Sequence, residues 1–234
     1  MPSITVFPDP DPETSTTDGG VARILAEGTG ETWANIRSGA GTEASDTKTT
    51  LAPSGETSSA GYRGGTTTTT WHQNLRSIFL FDTSAIGVGS TINSATLSLF
   101  GSSKLDESGS APSYNIYTST PNSNTALVSG DYGQFGTVAQ ATAITQANIS
   151  TTEYNDWALN STGLTNISKT GISKFGLRTV FDADNTAPTW GSAQVSRIVL
   201  QSADTAGTAN DPKLVVIYTL VAGGGGNLTM LGVG

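Results

Sequence analysis

Two neighbouring stretches of the chain carry the strongest pattern of hydrophobic and polar positions. Residues 76–81 read Arg-Ser-Ile-Phe-Leu-Phe, so their apolar side chains follow one another without alternating. A short apolar run of this kind is typical of a strand that is covered on both faces. Residues 94–100 alternate instead, and the period of two turns Ala95, Leu97 and Leu99 towards one face. We therefore predict a central strand followed by a half-buried strand.

Six further segments have the alternation or the β-branched and aromatic content of strands. They cover residues 4–7, 21–26, 114–118, 175–181, 196–201 and 213–220. Gly, Pro, Asn and Asp separate them, which is the composition of turns. Residues 137–149 and 161–168 are the two stretches whose sequence suggests a helix, and we expect short helical turns there. These patterns predict an all-β chain.

The stretch from residue 39 to residue 70 consists mostly of Ser, Thr, Gly and Ala and ends in five consecutive threonines. We interpret it as a long solvated loop. The alternative for the threonines is an edge strand, because threonine has a high strand propensity. The predicted organisation is an N-terminal arm over residues 1–20, one β-sandwich over 21–221 and a tail over 222–234.

The predicted tail has a composition of its own. Four glycines at 223–226 form a flexible tether. The apolar residues Leu228, Met230, Leu231 and Val233 follow it. We predict that they contact another subunit by strand addition, and a frayed chain end is the alternative.

The charge balance limits the partners of the chain. Eleven basic and nineteen acidic side chains give a formal net charge of −8, which repels a phosphate backbone and excludes nucleic acid as a partner. The chain has no cysteine, so neither disulfides nor thiolate metal sites stabilise it. The first residues lack the basic and apolar regions of a secretory signal, and no apolar run reaches the length of a membrane span. We therefore expect no membrane insertion. We also expect that the protein leaves the cell without a secretory signal, for example by lysis, unless the chain has been trimmed.

Several segments together resemble a known family. They are LRSIFLFDTSAI at 75–86, GSTINSATLSL at 89–99, WALNSTGL at 157–164, KFGLR at 174–178 and DPKLVVIY at 211–218. In this order they resemble the motifs of DNRLRE-type β-sandwich domains. The resemblance implies an antiparallel jelly-roll-like β-sandwich with long Gly/Ser/Thr-rich loops and an adhesive or structural role. Such modules occur in bacterial surface proteins, some related to alginate-binding carbohydrate modules, and similar sequences occur in tailed-phage virion proteins.

Catalysis finds little support in the sequence. His72 is the single histidine and no Gly-x-Ser-x-Gly motif accompanies it, so we interpret it as a polar surface residue. The carboxylate pairs Asp106 with Glu107 and Glu153 with Asp156 are of the type used in glycoside hydrolysis. Both pairs lie in polar, turn-like segments. We predict that the chain is not an enzyme.

A candidate cation site follows the strand predicted at residues 175–181. Asp182, Asp184 and Asn185 place three oxygen-bearing side chains close together, as a calcium loop would. The rest of an EF-hand pattern is missing. The alternative is a strand-ending turn in which these side chains cap backbone amides. Calcium is the one cofactor that the sequence suggests.

Exposed aromatic rings are the usual platform for sugar stacking. Tyr62 and Trp71 flank the Gly/Thr-rich segment, and we predict that they are exposed and bind a glycan. Trp157 lies within a fold motif, and we expect it to pack in the core.

These observations lead to two functions of different classes. The first is a non-catalytic structural or decoration subunit of an extracellular assembly, such as a bacteriophage virion, whose partners are its own copies or other virion or surface subunits. The second is a carbohydrate-binding module that recognises a polysaccharide. A hydrolase or lyase would need a cleft with paired acids or an activated histidine, and the sequence has no motif for one.

Overall fold

The computed structural model describes residues 1–26, 28–47 and 59–220. Twelve strands form within these residues, and their pairings are antiparallel. They are β1 (Ser3–Val6), β2 (Asp18–Ile24), β3 (Glu43–Ser45), β4 (Ala60–Gly64), β5 (Trp71–Asp82), β6 (Thr91–Asp106), β7 (Ser113–Thr118), β8 (Ile144–Thr145), β9 (Tyr154–Ala158), β10 (Ile172–Thr179), β11 (Val195–Leu200) and β12 (Lys213–Thr219). The helices are α1 (Trp33–Ser38), α2 (Ser161–Thr165) and α3 (Val180–Ala183), with 3₁₀ turns at Ser84–Ile86, Ser129–Gly133 and Gln146–Asn148. The predicted all-β fold is confirmed, and its jelly-roll connectivity stays a prediction.

The strands form two layers that share β6. The first layer has the order β1, β12, β6, β9 and uses the first part of β6. In the second layer the end of β6 pairs with β11, and the order continues through β4, β5, β10, β7 and β8. β4 and β10 pair with the first and last parts of one edge of β5, and β2 pairs with the opposite edge of β5 and with β3. With its 16 residues, β6 is long enough to run from one layer into the other.

The main core lies between the two layers. The first layer contributes Leu97, Leu99, Trp157, Leu214 and Val216, and the second contributes Phe79, Phe81, Tyr114, Ile116, Phe175, Leu177 and Ile198. Each such side chain stabilises the fold by about 1.5–3 kcal/mol when it is fully buried. The indole N–H of Trp157 also donates a hydrogen bond to the carbonyl of Tyr114 at 3.2 Å, which joins the layers. The expectation that Trp157 packs in the core is confirmed.

β5 is covered on both faces, as its continuous apolar run predicts. Phe79 and Phe81 belong to the main core. Ile78 and Leu80, which alternate with them, pack with Val21 of β2 and with other side chains on the opposite face. Loops and short helices lie over this second face, and α1 contacts β5.

The long loop predicted over residues 39–70 is wrong in part, because β3 and β4 lie inside it. β4 is a central strand between β11 and β5. Its sequence, AGYRG, holds one large apolar side chain, so it lacks the signature of a buried strand. The consecutive threonines form the turn between β4 and β5, and the loop interpretation is correct for them.

The helical predictions have mixed outcomes. The turn expected at 161–168 is present as α2. In the segment 137–149 the structure has only the 3₁₀ turn Gln146–Asn148 and the short strand β8. The strand predicted to reach residue 181 ends at Thr179, whose side chain accepts a hydrogen bond from the backbone N–H of Asp182 at 3.2 Å and caps α3.

The N-terminal segment contributes to both layers. β1 pairs with β12 at the edge of the first layer. β2 begins at Asp18, before the end of the arm predicted over residues 1–20, and pairs with β5 in the second layer.

Candidate functional site

The two aromatic residues predicted to bind a glycan are buried. Tyr62 is 1% exposed and Trp71 is 4% exposed. Both pack edge-on against Trp33 of α1, with ring centroids 5.6 and 5.4 Å away. The prediction that they are exposed is therefore wrong, because α1 covers this face of the sheet. Neither ring can stack on a sugar in this position.

Asp182 lies at the centre of a buried ion-pair cluster and does not belong to a calcium loop. Its side chain is completely buried. Arg76 Nε and Nη2 each donate a hydrogen bond to its carboxylate at 2.7 Å, and Arg178 Nε donates a third at 2.8 Å. Burial alone would raise the pKa of Asp182, but Arg76 and Arg178 lower it to about 2. The carboxylate is therefore ionised at neutral pH and paired with arginine.

The other two residues of the predicted calcium loop do not join Asp182. Asp184 and Asn185 are exposed, and Asn185 adopts the left-handed backbone conformation with a φ of 54°. The calcium prediction for Asp182, Asp184 and Asn185 is wrong, since the oxygens of Asp182 already bind guanidinium groups. The turn interpretation is correct in part: the strand ends here, but the Asp182 carboxylate binds arginine side chains and the residue that caps the following helix α3 is Thr179.

The same cluster holds the loops against the second layer. Arg76 donates hydrogen bonds to the carbonyls of Tyr132 and Arg37, and its guanidinium lies 3.9 Å from the centre of the Tyr132 ring. The Tyr132 hydroxyl accepts a hydrogen bond from Asn74 and donates one to the carbonyl of Ile36, both at 2.7 Å. Burial raises the pKa of Tyr132 to about 12. These contacts connect β5 with α1 and with the 3₁₀ turn, which gives the cluster a structural role.

A sequence signal for this cluster exists. Arg76 and Arg178 each interrupt an apolar strand pattern. A charged side chain at such a position needs a buried partner of opposite charge. The sequence does not say which of the nineteen acidic residues it is.

The residues considered for acid-base chemistry do not line a common cleft: His72 is buried, and the carboxylates Asp106 and Glu107 bind backbone amides. His72 is buried, so its interpretation as a surface residue is wrong. Asp106 accepts a hydrogen bond from the backbone N–H of Ala111 at 2.8 Å, and Glu107 accepts one from the N–H of Val195 at 2.9 Å. These carboxylates fix a turn and a strand end.

In the second carboxylate pair, Glu153 directly precedes β9 and Asp156 lies within it. Glu153 and Asp156 are both exposed. The described geometry therefore adds nothing to the hydrolase hypothesis.

One groove beside the turn between β4 and β5 is open to solvent. Its volume is about 420 Å³. It is lined by Gly28, Thr29, Arg63, Gly64, Gly65, Thr66, His72 and Ala193. At Gly64 the backbone of β4 approaches the segment around Gly191 closely. A Cβ at Gly64 would lie 2.0 Å from the carbonyl oxygen of Gly191, so only glycine fits there. The lining combines one arginine, one histidine and two threonines with small residues that expose peptide groups.

The predicted contact residues of the tail, Leu228, Met230, Leu231 and Val233, lie outside the described residues. Within the described part of the chain, no helix is long and apolar enough to cross a membrane. No protein-family model and no curated protein sequence matches this chain.

Proposed function

We propose that this chain is a non-catalytic structural subunit of an extracellular assembly, such as a bacteriophage virion, and that it contacts neighbouring subunits through the edge of its first layer. The observation that carries the proposal is the position of β1. Among the strands of the described residues, it pairs with β12 and is the outermost on that side of the sheet. Its outer edge offers backbone N–H and C=O groups to a strand from another chain.

Apolar side chains around this edge support the same function. Phe7 directly follows β1 and is 41% exposed, and Met1, which precedes β1, is also exposed. On β12, Leu214 and Val216 point into the core, while the alternate residues Val215 and Ile217 are half-buried on the outer face. A neighbour that adds a strand to β1 would cover part of this surface and gain apolar burial as well as backbone hydrogen bonds.

The proposal also agrees with the resemblance to DNRLRE-type domains and with the environment of the candidate catalytic residues. Asp106 and Glu107 hold a turn and a strand end in place. A rigid sandwich with such loops is suited to repeated contacts with neighbours.

The test is the assembly state of the full chain, measured by light scattering and by electron microscopy of particles from its source. Thr5→Lys places a charge on the edge strand, and we expect it to abolish self-association or incorporation into the particle. Ser94→Lys is the matched control: Ser94 lies opposite Ile217 and Ile217 opposite Ser3, so the new charge lies on the same face but on an interior strand. A chain ending at residue 222 measures the contribution of the tail separately. Equal assembly of both lysine variants, or a wild-type chain that is monomeric and absent from particles, would contradict the proposal.

A second candidate function is binding of an acidic polysaccharide in the groove beside the β4–β5 turn. Arg63 lines this groove together with Thr29 and Thr66. A guanidinium group and hydroxyls are suited to a uronate carboxylate and to sugar hydroxyls. This candidate replaces Tyr62 and Trp71 as the residues that would recognise a glycan.

A glycan array with neutral and uronate-containing polysaccharides distinguishes this function from the first. We expect Arg63→Gln to lower the affinity for the acidic polysaccharides at least tenfold. Lys169→Gln makes the same change of charge away from the groove and should leave this affinity unchanged. An array without signal for the wild-type chain would eliminate the candidate.

A further inference from the structure

Three carboxyl groups from distant parts of the chain lie around the connection between β11 and β12. Asp18 begins β2, while Asp204 and Asp211 belong to the connection between β11 and β12. Asp18 is 1% exposed and Asp211 is 5% exposed. Asp18 Oδ1 accepts a hydrogen bond from the backbone N–H of Ala203 at 3.1 Å, which fixes the carboxyl group against this connection.

Each of the three carboxyl groups keeps one oxygen without a hydrogen-bond partner among the described residues. These buried atoms are Asp18 Oδ2, Asp204 Oδ2 and Asp211 Oδ1. A buried carboxylate oxygen is costly unless a hydrogen-bond donor or a cation compensates the lost hydration. A bound cation would compensate the lost hydration of these three oxygens.

We propose that the acidic cluster of Asp18, Asp204 and Asp211 binds a hard divalent cation, and that Ca²⁺ fits it best. Carboxylate and carbonyl oxygens are the ligands of Ca²⁺, which accepts six to eight of them in irregular geometry, whereas Mg²⁺ demands a near-ideal octahedron. A cavity of about 420 Å³, lined by Asp204 and Asp211 together with Phe7, Pro8 and Pro10, leads to the cluster.

The geometry sets the number of direct ligands. Within the described residues, no three His, Cys, Asp or Glu side chains stand close enough together to hold one ion as placed. The ion therefore contacts at most two of the carboxylates directly and completes its shell with backbone carbonyls and water, while the third carboxylate acts through its charge. Bound there, it would tie the segment before β2 to the connection that leads into β12, the strand that pairs with β1.

The experiment uses the full chain after treatment with EDTA, followed by titration with CaCl₂ or MgCl₂ in calorimetry and thermal unfolding. We expect one Ca²⁺ per chain and, at a hundredfold excess over the dissociation constant, an increase of Tm of roughly 5–10 °C. Asp18→Asn should weaken binding at least tenfold and remove this increase. Without the cation the same variant should have a higher Tm than the wild-type chain, since it removes a buried carboxyl group with an unpartnered oxygen, so loss of binding is distinguishable from damage to the fold.

Asp156→Asn is the matched control, because Asp156 is exposed on β9 and its loss should leave Ca²⁺ binding unchanged. The proposal is overturned if the EDTA-treated wild-type chain binds neither Ca²⁺ nor Mg²⁺. It is also overturned if Asp18→Asn and Asp156→Asn bind Ca²⁺ equally well. The assembly state of the chain is a separate readout, so this result is independent of the proposed structural function.

Discussion

Arg76 and Asp182, which are 106 positions apart in the sequence, form a two-point ion pair with two nitrogen–oxygen distances of 2.7 Å. Arg178 shares the same carboxylate. All three side chains are buried, so each depends on the others for compensation of its lost hydration. The pair connects β5 with the turn after β10 and decides where the covering loops lie.

Removal of the shared carboxylate should destabilise the protein strongly. Asp182→Asn leaves Arg76 and Arg178 buried without an anion, and we expect the free energy of unfolding to fall by about 3–5 kcal/mol. Urea denaturation followed by tryptophan fluorescence measures it. Asp184→Asn changes an exposed residue of the same turn and should stay within about 0.5 kcal/mol of the wild-type chain. Similar losses in both variants would mean that the ion pair contributes little.

The same ion pair predicts an acid transition. The pKa of Asp182 is about 2 in the folded chain and 3.8 is its ordinary value, so the unfolded chain takes up the proton first. The contribution of Asp182, about 2 kcal/mol, is therefore complete above pH 4 and is lost as the pH falls towards 2. The difference in unfolding free energy between the wild-type chain and Asp182→Asn should shrink across this window. A difference that is constant from pH 6 to pH 2.5 would contradict the assignment.

Substitution of Trp71 should lower the stability of the fold, because the ring is buried and does not contact a sugar. Trp71→Ala removes a ring that packs in the cluster with Trp33 and Tyr62, and we expect a loss of about 3–5 kcal/mol. Phe7→Ala, at an exposed aromatic position, should cost less than about 1 kcal/mol. Thermal unfolding of the two variants compares them, and an unchanged Tm for Trp71→Ala would show that the cluster is not packed as described.

Gly64 is required by the close approach of two backbone segments. A Cβ at this position would lie 2.0 Å from the carbonyl oxygen of Gly191, so Gly64→Ala must displace β4 or the segment before β11. We expect a loss of roughly 1–3 kcal/mol, the range for overpacked sites. Gly133→Ala is the control, because a Cβ there meets no atom within 4 Å. If chemical denaturation gives the two variants equal stability, the tight contact at Gly64 is absent.

The sequence by itself determined the elements whose signal is local. The apolar run of β5 and the alternation of β6 follow from the geometry of a strand. The burial of Trp157 was expected from the fold motif in which it lies, and the structure places it in the main core. The absence of long helical periodicity was sufficient for the all-β fold. The short turn α2 was readable because two apolar residues have helical spacing.

Only the tertiary structure decided which polar and aromatic side chains are buried. Tyr62 and Trp71 are covered by α1, a helix that precedes them by about thirty residues, and Asp182 pairs with Arg76, which lies 106 positions earlier in the sequence. β4 is a central strand although its sequence is short, glycine-rich and weakly apolar. Burial of this kind is a property of packing between segments that are distant in sequence, and no local pattern encodes it. The acidic cluster of Asp18, Asp204 and Asp211 became visible for the same reason, because folding alone brings its members together.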